Sequence, residues 1–237
     1  MNPLQGVISE SWAMYRRHAA HLLPIAFVIY LVAAALEAVL IGLLGAFGAF
    51  LAFIVSVLSV FVLQATLVKA VEDVRDGRVD LSMAETVQAA RPRVGTVAGA
   101  SILAGIAVAI GLLLLIVPGL VLITFLALIV PVIVLEGRGV TEAFRRSTDL
   151  VRGHGWAMFG VLVLTMVVYI VVGFIIGVIL FALAPWARDF LSTIISGTLL
   201  APFTALALTL SYYRLRDVHP GAAPRPAADD LWGSPQA

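Results

Sequence analysis

"RVGTVAGASILAGIAVAIGLLLLIVPGLVLITFLALIVPVIVLE", residues 93–136, carries charge only at its two ends. The 42 residues between Arg93 and Glu136 would extend about 63 Å as one helix. A bilayer core is about 30 Å thick, so one crossing cannot absorb the segment and two can. Pro118-Gly119 is the predicted hairpin break, because proline lacks the N–H donor and glycine tolerates a turn. A re-entrant hairpin at the short fourth run is the alternative.

Working outward, the same uncharged character returns at 22–44, where Glu37 is the one interruption, and at 49–68, 156–184 and 190–213. With 94–116 and 119–135 from the middle segment, the count is six. Hydrophobic residues make up 62% of the 237 and charged residues 12%, against about 25% charged in a soluble domain. A soluble fold could not hide that apolar surface, so the composition points to a membrane. Arg16, Arg17, Lys69, Arg75, Arg78, Arg91, Arg93, Arg138, Arg145, Arg146, Arg152, Arg214, Arg216 and Arg225 all fall on one side of this topology. Only Arg188 falls on the other, which predicts cytoplasmic N- and C-termini.

The net charge of +1 arises from acids and bases sharing the same loops, so no nucleic-acid partner is expected. Disulfide and thiolate chemistry are excluded by the lack of cysteine. The first apolar run begins late and flows through "GLLGAFGAF" into a second, unlike a cleaved signal peptide. One lysine against fourteen arginines suggests a GC-rich bacterial genome and hence a bacterial inner membrane.

Between the middle pair of runs and the next lies "EGRGVTEAFRRSTDLVR", residues 136–152, with seven charges. At helical spacing Val140, Phe144, Ser147 and Val151 share one face, and Glu142, Arg145, Arg146, Asp149 and Arg152 fill the other. This is the pattern of an amphipathic helix at a membrane surface. Thr141 is the expected N-cap, Gly153 the stop, and Trp156 an interfacial anchor.

The same spacing recurs at Leu4, Ile8, Ser11 and Tyr15, and at Val79, Met83, Thr86 and Ala90. Basic residues stand five and seven positions after each hydroxyl: Arg16 and His18, Arg91 and Arg93, Arg152 and His154. Asn2-Pro3 and the capping box "SMAE" (Ser82 to Glu85) are the predicted helix starts for the first two. The chain is therefore expected to be an internal repeat of three units, 2–70, 79–136 and 140–216. In each, an amphipathic interfacial helix precedes a transmembrane hairpin. Residues 217–237, rich in proline and alanine, are expected to form a disordered cytoplasmic tail. Small residues at Gly95/Gly99 and Gly173/Gly177 have the spacing that lets membrane helices pack closely, so a homo-oligomer or protein partner fits the sequence.

No catalytic constellation emerges. The four histidines, His18, His21, His154 and His219, have no metal-ligand spacing. "EDVRDGRVD" (Glu72 to Asp80) reads as a solvated loop, and no nucleophile elbow or phosphate-binding loop with lysine occurs. No metal or cofactor is expected. Glu37 is the one ionisable group inside a span, which makes it a functional suspect; a partner at Ser56, opposite it across the first turn, would give it a structural role. Arg145, Arg146 and Arg152 are candidates for holding anionic lipid headgroups.

"IVPGL" (116–120) followed by "VLEGRGVTEAFRRSTDLVRGHGWAMFG" (134–160) resembles the membrane domain of glycerophosphoryl diester phosphodiesterases and related six-span bacterial proteins. Glu136, Ala143, Arg145, Arg146, Ser147, Leu150, Gly153 and Trp156 fit that pattern, while Phe144 and Thr148 depart from it. The resemblance implies architecture only. The family's hydrolase is a separate soluble domain, and nothing in this chain matches it.

The sequence thus predicts an all-α polytopic membrane protein with six transmembrane helices in three hairpins. A non-catalytic, lipid-associated module or scaffold in bacterial envelope lipid metabolism is the expected function. A small-solute or ion permease or channel using Glu37 is the alternative, and an intramembrane lipid enzyme a distant third.

Overall fold

The computed structural model of the protein describes residues 3–75 and 81–219, the side chains at 185, 186 and 189 apart. These residues form an all-α fold in the order α1 (Val7–Val74), α2 (Met83–Leu114), α3 (Ile116–Leu126), α4 (Ile129–Glu136), α5 (Val140–Val151), α6 (Gly155–Ile179) and α7 (Pro185–Val218). Five helical stretches are long and apolar enough to cross a membrane, α3 and α4 together forming one of them.

The first stretch is three segments. The helical path bends at His18 and breaks at Gly45, whose φ of 55° and ψ of −127° suit only glycine. There the chain doubles back so tightly that a Cβ on Gly48 would lie 1.9 Å from the Leu40 carbonyl oxygen. An amphipathic opening over 7–17 therefore leads into two arms, 19–44 and 46–74. The helix starts at Val7 behind Gly6, which has a φ of 81°, and not at Asn2-Pro3; Asn2 lies outside the described residues.

The capping box at Ser82 and Glu85 forms as the sequence predicts. Its hydrogen bonds from Ser82 hold the Glu85 carboxyl below the usual carboxylate range. From there α2 runs through Pro92 to Leu114 without interruption. The second amphipathic segment and the third apolar run are one helix, so no separate interfacial helix precedes that hairpin among the described residues. The first residue of this unit, Val79, lies outside them.

Pro118-Gly119 is not the break. The chain turns at Leu115, with φ of −160° and ψ of 141°, and both predicted residues lie inside α3. The reason is geometric: a proline ring obstructs the carbonyl four residues earlier, so Pro118 at the third position of α3 opposes Leu114. Pro131, third in α4, acts on Ala127 in the same way and splits the fourth run into α3 and α4. Gly119 instead allows close packing, since a Cβ there would fall 2.4 Å from the Leu112 side chain.

Exposed large apolar side chains, Trp12 and Val218 apart, fall in three stretches: 27–60, 102–123 and 156–199. These form the belt that would face lipid. The segments between them, with the inward face at the start of the third stretch, bury their apolar groups in a core shared by α1, α2, α4, α5, α6 and α7, where Val97, Leu128, Ile133, Leu150, Met158 and Leu215 are fully enclosed. The molecule is thus a lipid-facing bundle of hairpins joined to a packed layer at the end where the charged residues gather.

Candidate functional site

Glu136 ends α4, and Gly137 follows in the left-handed conformation with a φ of 68°. That backbone conformation favours glycine, and Arg93 Nη1 donates to the Gly137 carbonyl at 3.4 Å. The Glu136 carboxylate is almost fully buried, with a side chain 2% exposed. Oε1 accepts from Arg146 Nε at 3.0 Å and from the Tyr212 hydroxyl at 3.0 Å, and Oε2 accepts from Arg138 Nε. Three helices, α4, α5 and α7, are locked together at one carboxylate.

This placement separates the three arginines grouped in the sequence. Arg146 is buried and committed to Glu136, whereas Arg145 and Arg152 are exposed. Its guanidinium is therefore a structural counter-charge, and its Nη2 atom is buried without a protein partner. Tyr212 and Arg138 were missed in the sequence as partners of Glu136. Arg138 was visible in the same charged stretch, but nothing in the local pattern connected Tyr212 to a residue so distant in the chain.

Ser147 is fully buried and repairs the break in the fourth run. Its hydroxyl donates to the Phe125 carbonyl at 2.7 Å and accepts from the Leu128 N–H at 3.2 Å. A broken helix in an apolar setting needs its freed backbone groups satisfied, and one side chain from α5 meets both. Ser11 and Thr86, at the corresponding positions of the other amphipathic segments, are also fully buried. They bond only within their own helices, to Val7 and Ser82 carbonyls at 2.8 and 2.9 Å.

Gly153, with φ of 84°, terminates α5 as the spacing predicts, while the N-cap is Gly139 and not Thr141. The chain then turns through His154 into α6, where Trp156 is 89% exposed. A cleft of 810 Å³ lies between this turn and α3, lined by Leu120, Val121, Phe125, His154, Trp156 and Phe159 among others. His154 Nδ1 is buried without a protein partner, and its ring meets that of His219 edge-on at 5.6 Å. Arg152 adjoins the cleft through Gly153 in the chain.

Glu37 is half-buried, with Ser56 the polar side chain near it, as expected across the Gly45 turn, and it lines neither this cleft nor the interior cavity described below. Among the described residues no cluster of three or more His, Cys, Asp or Glu side chains could hold a metal ion.

The apolar helices, the lipid-facing belt and the charge gathered at one end define an all-α protein of the membrane class. The chain belongs to a family described as "Domain of unknown function (DUF7847)", whose model matches residues 11–215. No curated protein and no solved structure matches it.

Proposed function

We propose that the protein is a non-catalytic, lipid-associated module or scaffold of the bacterial inner membrane, acting in envelope lipid metabolism. The carrying observation is the 810 Å³ cleft beside Trp156. It has an apolar floor suited to acyl chains, and the exposed Arg152 directly precedes its lining residue Gly153 in the chain. That combination suits an anionic lipid headgroup with its chains in the bilayer. In this reading the three hairpins make six crossings, and both termini lie in the cytoplasm with the arginines. The resemblance to diesterase membrane domains supports the lipid setting.

Native mass spectrometry of protein extracted gently with its surrounding lipid tests this, comparing wild type with an Arg145→Ala/Arg152→Ala double variant. Arg146 stays unchanged because it holds the fold. An anionic lipid that remains on the wild type and leaves the variant supports the reading; the same bulk lipid on both sinks it. The competing permease or channel reading rests on Glu37, for which Ser56 offers a structural role. Solute uptake into proteoliposomes, abolished by Glu37→Gln, would favour that reading instead.

A further inference from the structure

A second cavity, of 330 Å³, lies inside the bundle where α1, α2, α6 and α7 meet the α3–α4 break. Its polar groups come from Tyr30, Gln64, Ser101, Tyr169 and Thr204, and no Asp, Glu, Lys, Arg or His lines it. A phosphate or ammonium placed there would lack a counter-charge in a weakly polar setting, which is strongly unfavourable. The occupant is therefore uncharged.

The Gln64 side chain narrows the chemistry. Its Oε1 is buried and has no protein partner, and a buried polar atom without one carries a desolvation penalty that a donor would relieve. A hydroxyl both donates and accepts, so it can satisfy an amide in either orientation. Apolar side chains including Leu63, Leu67 and Val130 form most of the remaining wall, which suits a ligand with an apolar body. Val60 and Tyr169 line the cavity and are also 39% and 42% exposed, so the wall reaches the lipid-facing belt. Val60 and Ser101 adjoin the edges of the first two exposed stretches while Tyr169 lies within the third, so the cavity opens where lipid can reach it.

We propose that this cavity binds the hydroxyl-bearing glycerol unit of an uncharged ligand, supplied either by a neutral diacylglycerol from the bilayer or by free glycerol. The proposal is independent of the anionic cleft. The two are separated by charge, by position and by the residues that would abolish each.

The test uses the full chain in nanodiscs, titrated with dioleoylglycerol, with free glycerol, and with dioleoylphosphatidylglycerol as a charged control, and read by native mass spectrometry. Wild type should retain dioleoylglycerol saturably. Gln64→Leu should weaken that binding about tenfold, the worth of one lost buried hydrogen bond, while leaving phosphatidylglycerol retention unchanged. Tyr169→Phe removes one oxygen from a partly exposed ring and should weaken it more modestly; should Gln64→Leu lose its helical circular dichroism, the Tyr169 variant decides. Gln64-dependent competition by free glycerol would identify a soluble polyol as the source, and its absence a membrane lipid. The proposal is overturned if neither glycerol compound binds saturably, as for a cavity holding only water, or if both variants bind as wild type does.

Discussion

Ser147 and Ser11 are both fully buried hydroxyls at corresponding positions of amphipathic segments, yet they should differ in energetic weight. Ser147→Ala strands the Leu128 N–H and the Phe125 carbonyl, and should cost about 1–3 kcal/mol. Ser11→Ala removes a bond to a carbonyl within its own helix and should cost less than about 1 kcal/mol. Thermal unfolding of the two variants in one detergent compares them, and equal losses would contradict the bridging role. Glu136→Ala is expected to be more severe, about 3–5 kcal/mol, because Arg146 would remain buried without its counter-charge. Glu136→Gln keeps an acceptor for Tyr212 and should lose less. The charge pattern marked Glu136 and Arg146 as unusual, but only the fold shows that one neutralises the other.

At the scale of elements, the α2–α3 hairpin is the shortest part of the lipid-facing belt. From Ile102 to Leu114 is about 20 Å of helix and α3 about 16 Å, less than a core of about 30 Å. Yet the last carbonyls of α2 have no helical partners and would be costly in hydrocarbon. The turn should therefore reach the far interface across a locally thinned bilayer. In this cysteine-free chain, Leu115→Cys should react with a membrane-impermeant thiol reagent added from the side opposite the charged layer. Reaction from neither side would instead mean a re-entrant hairpin.

The helical, apolar character of these elements was legible because long uncharged runs and 3.6-residue periodicity are local properties. The capping box and Gly153 stop were legible for the same reason. The break at Leu115 is displaced from Pro118-Gly119, and the one at Ala127–Leu128 was not expected, because a proline acts on the turn before it. The continuity of α2 through Pro92 was not readable from composition.

For the whole molecule, the arrangement of charge at one end was plain in the sequence, whereas both cavities were not. Their walls draw on residues scattered along the chain: Tyr30, Gln64, Ser101, Tyr169 and Thr204 share no motif. Glycine signals were likewise ambiguous. Gly95, Gly173 and Gly177 meet nothing within 4 Å of a built Cβ, while Gly197 carries the ring of Tyr30 at 2.3 Å. Gly197, packed against Tyr30, stands outside the small-residue spacing of the two pairs.

Arg214, near the end of α7, donates to the carbonyls of Pro3 and Gln5 and pairs with Glu10. Tyr15 likewise reaches the Leu199 carbonyl at 3.1 Å. The ribosome makes these partners about two hundred residues apart. The opening helix must therefore wait, its Leu22 and Ile25 uncovered by Phe203 and Leu206, until the final span has emerged and inserted. Docking of α7 onto α1 becomes a quality checkpoint. A polypeptide stopped short of α7 would display an unfinished seam to the membrane's proteases.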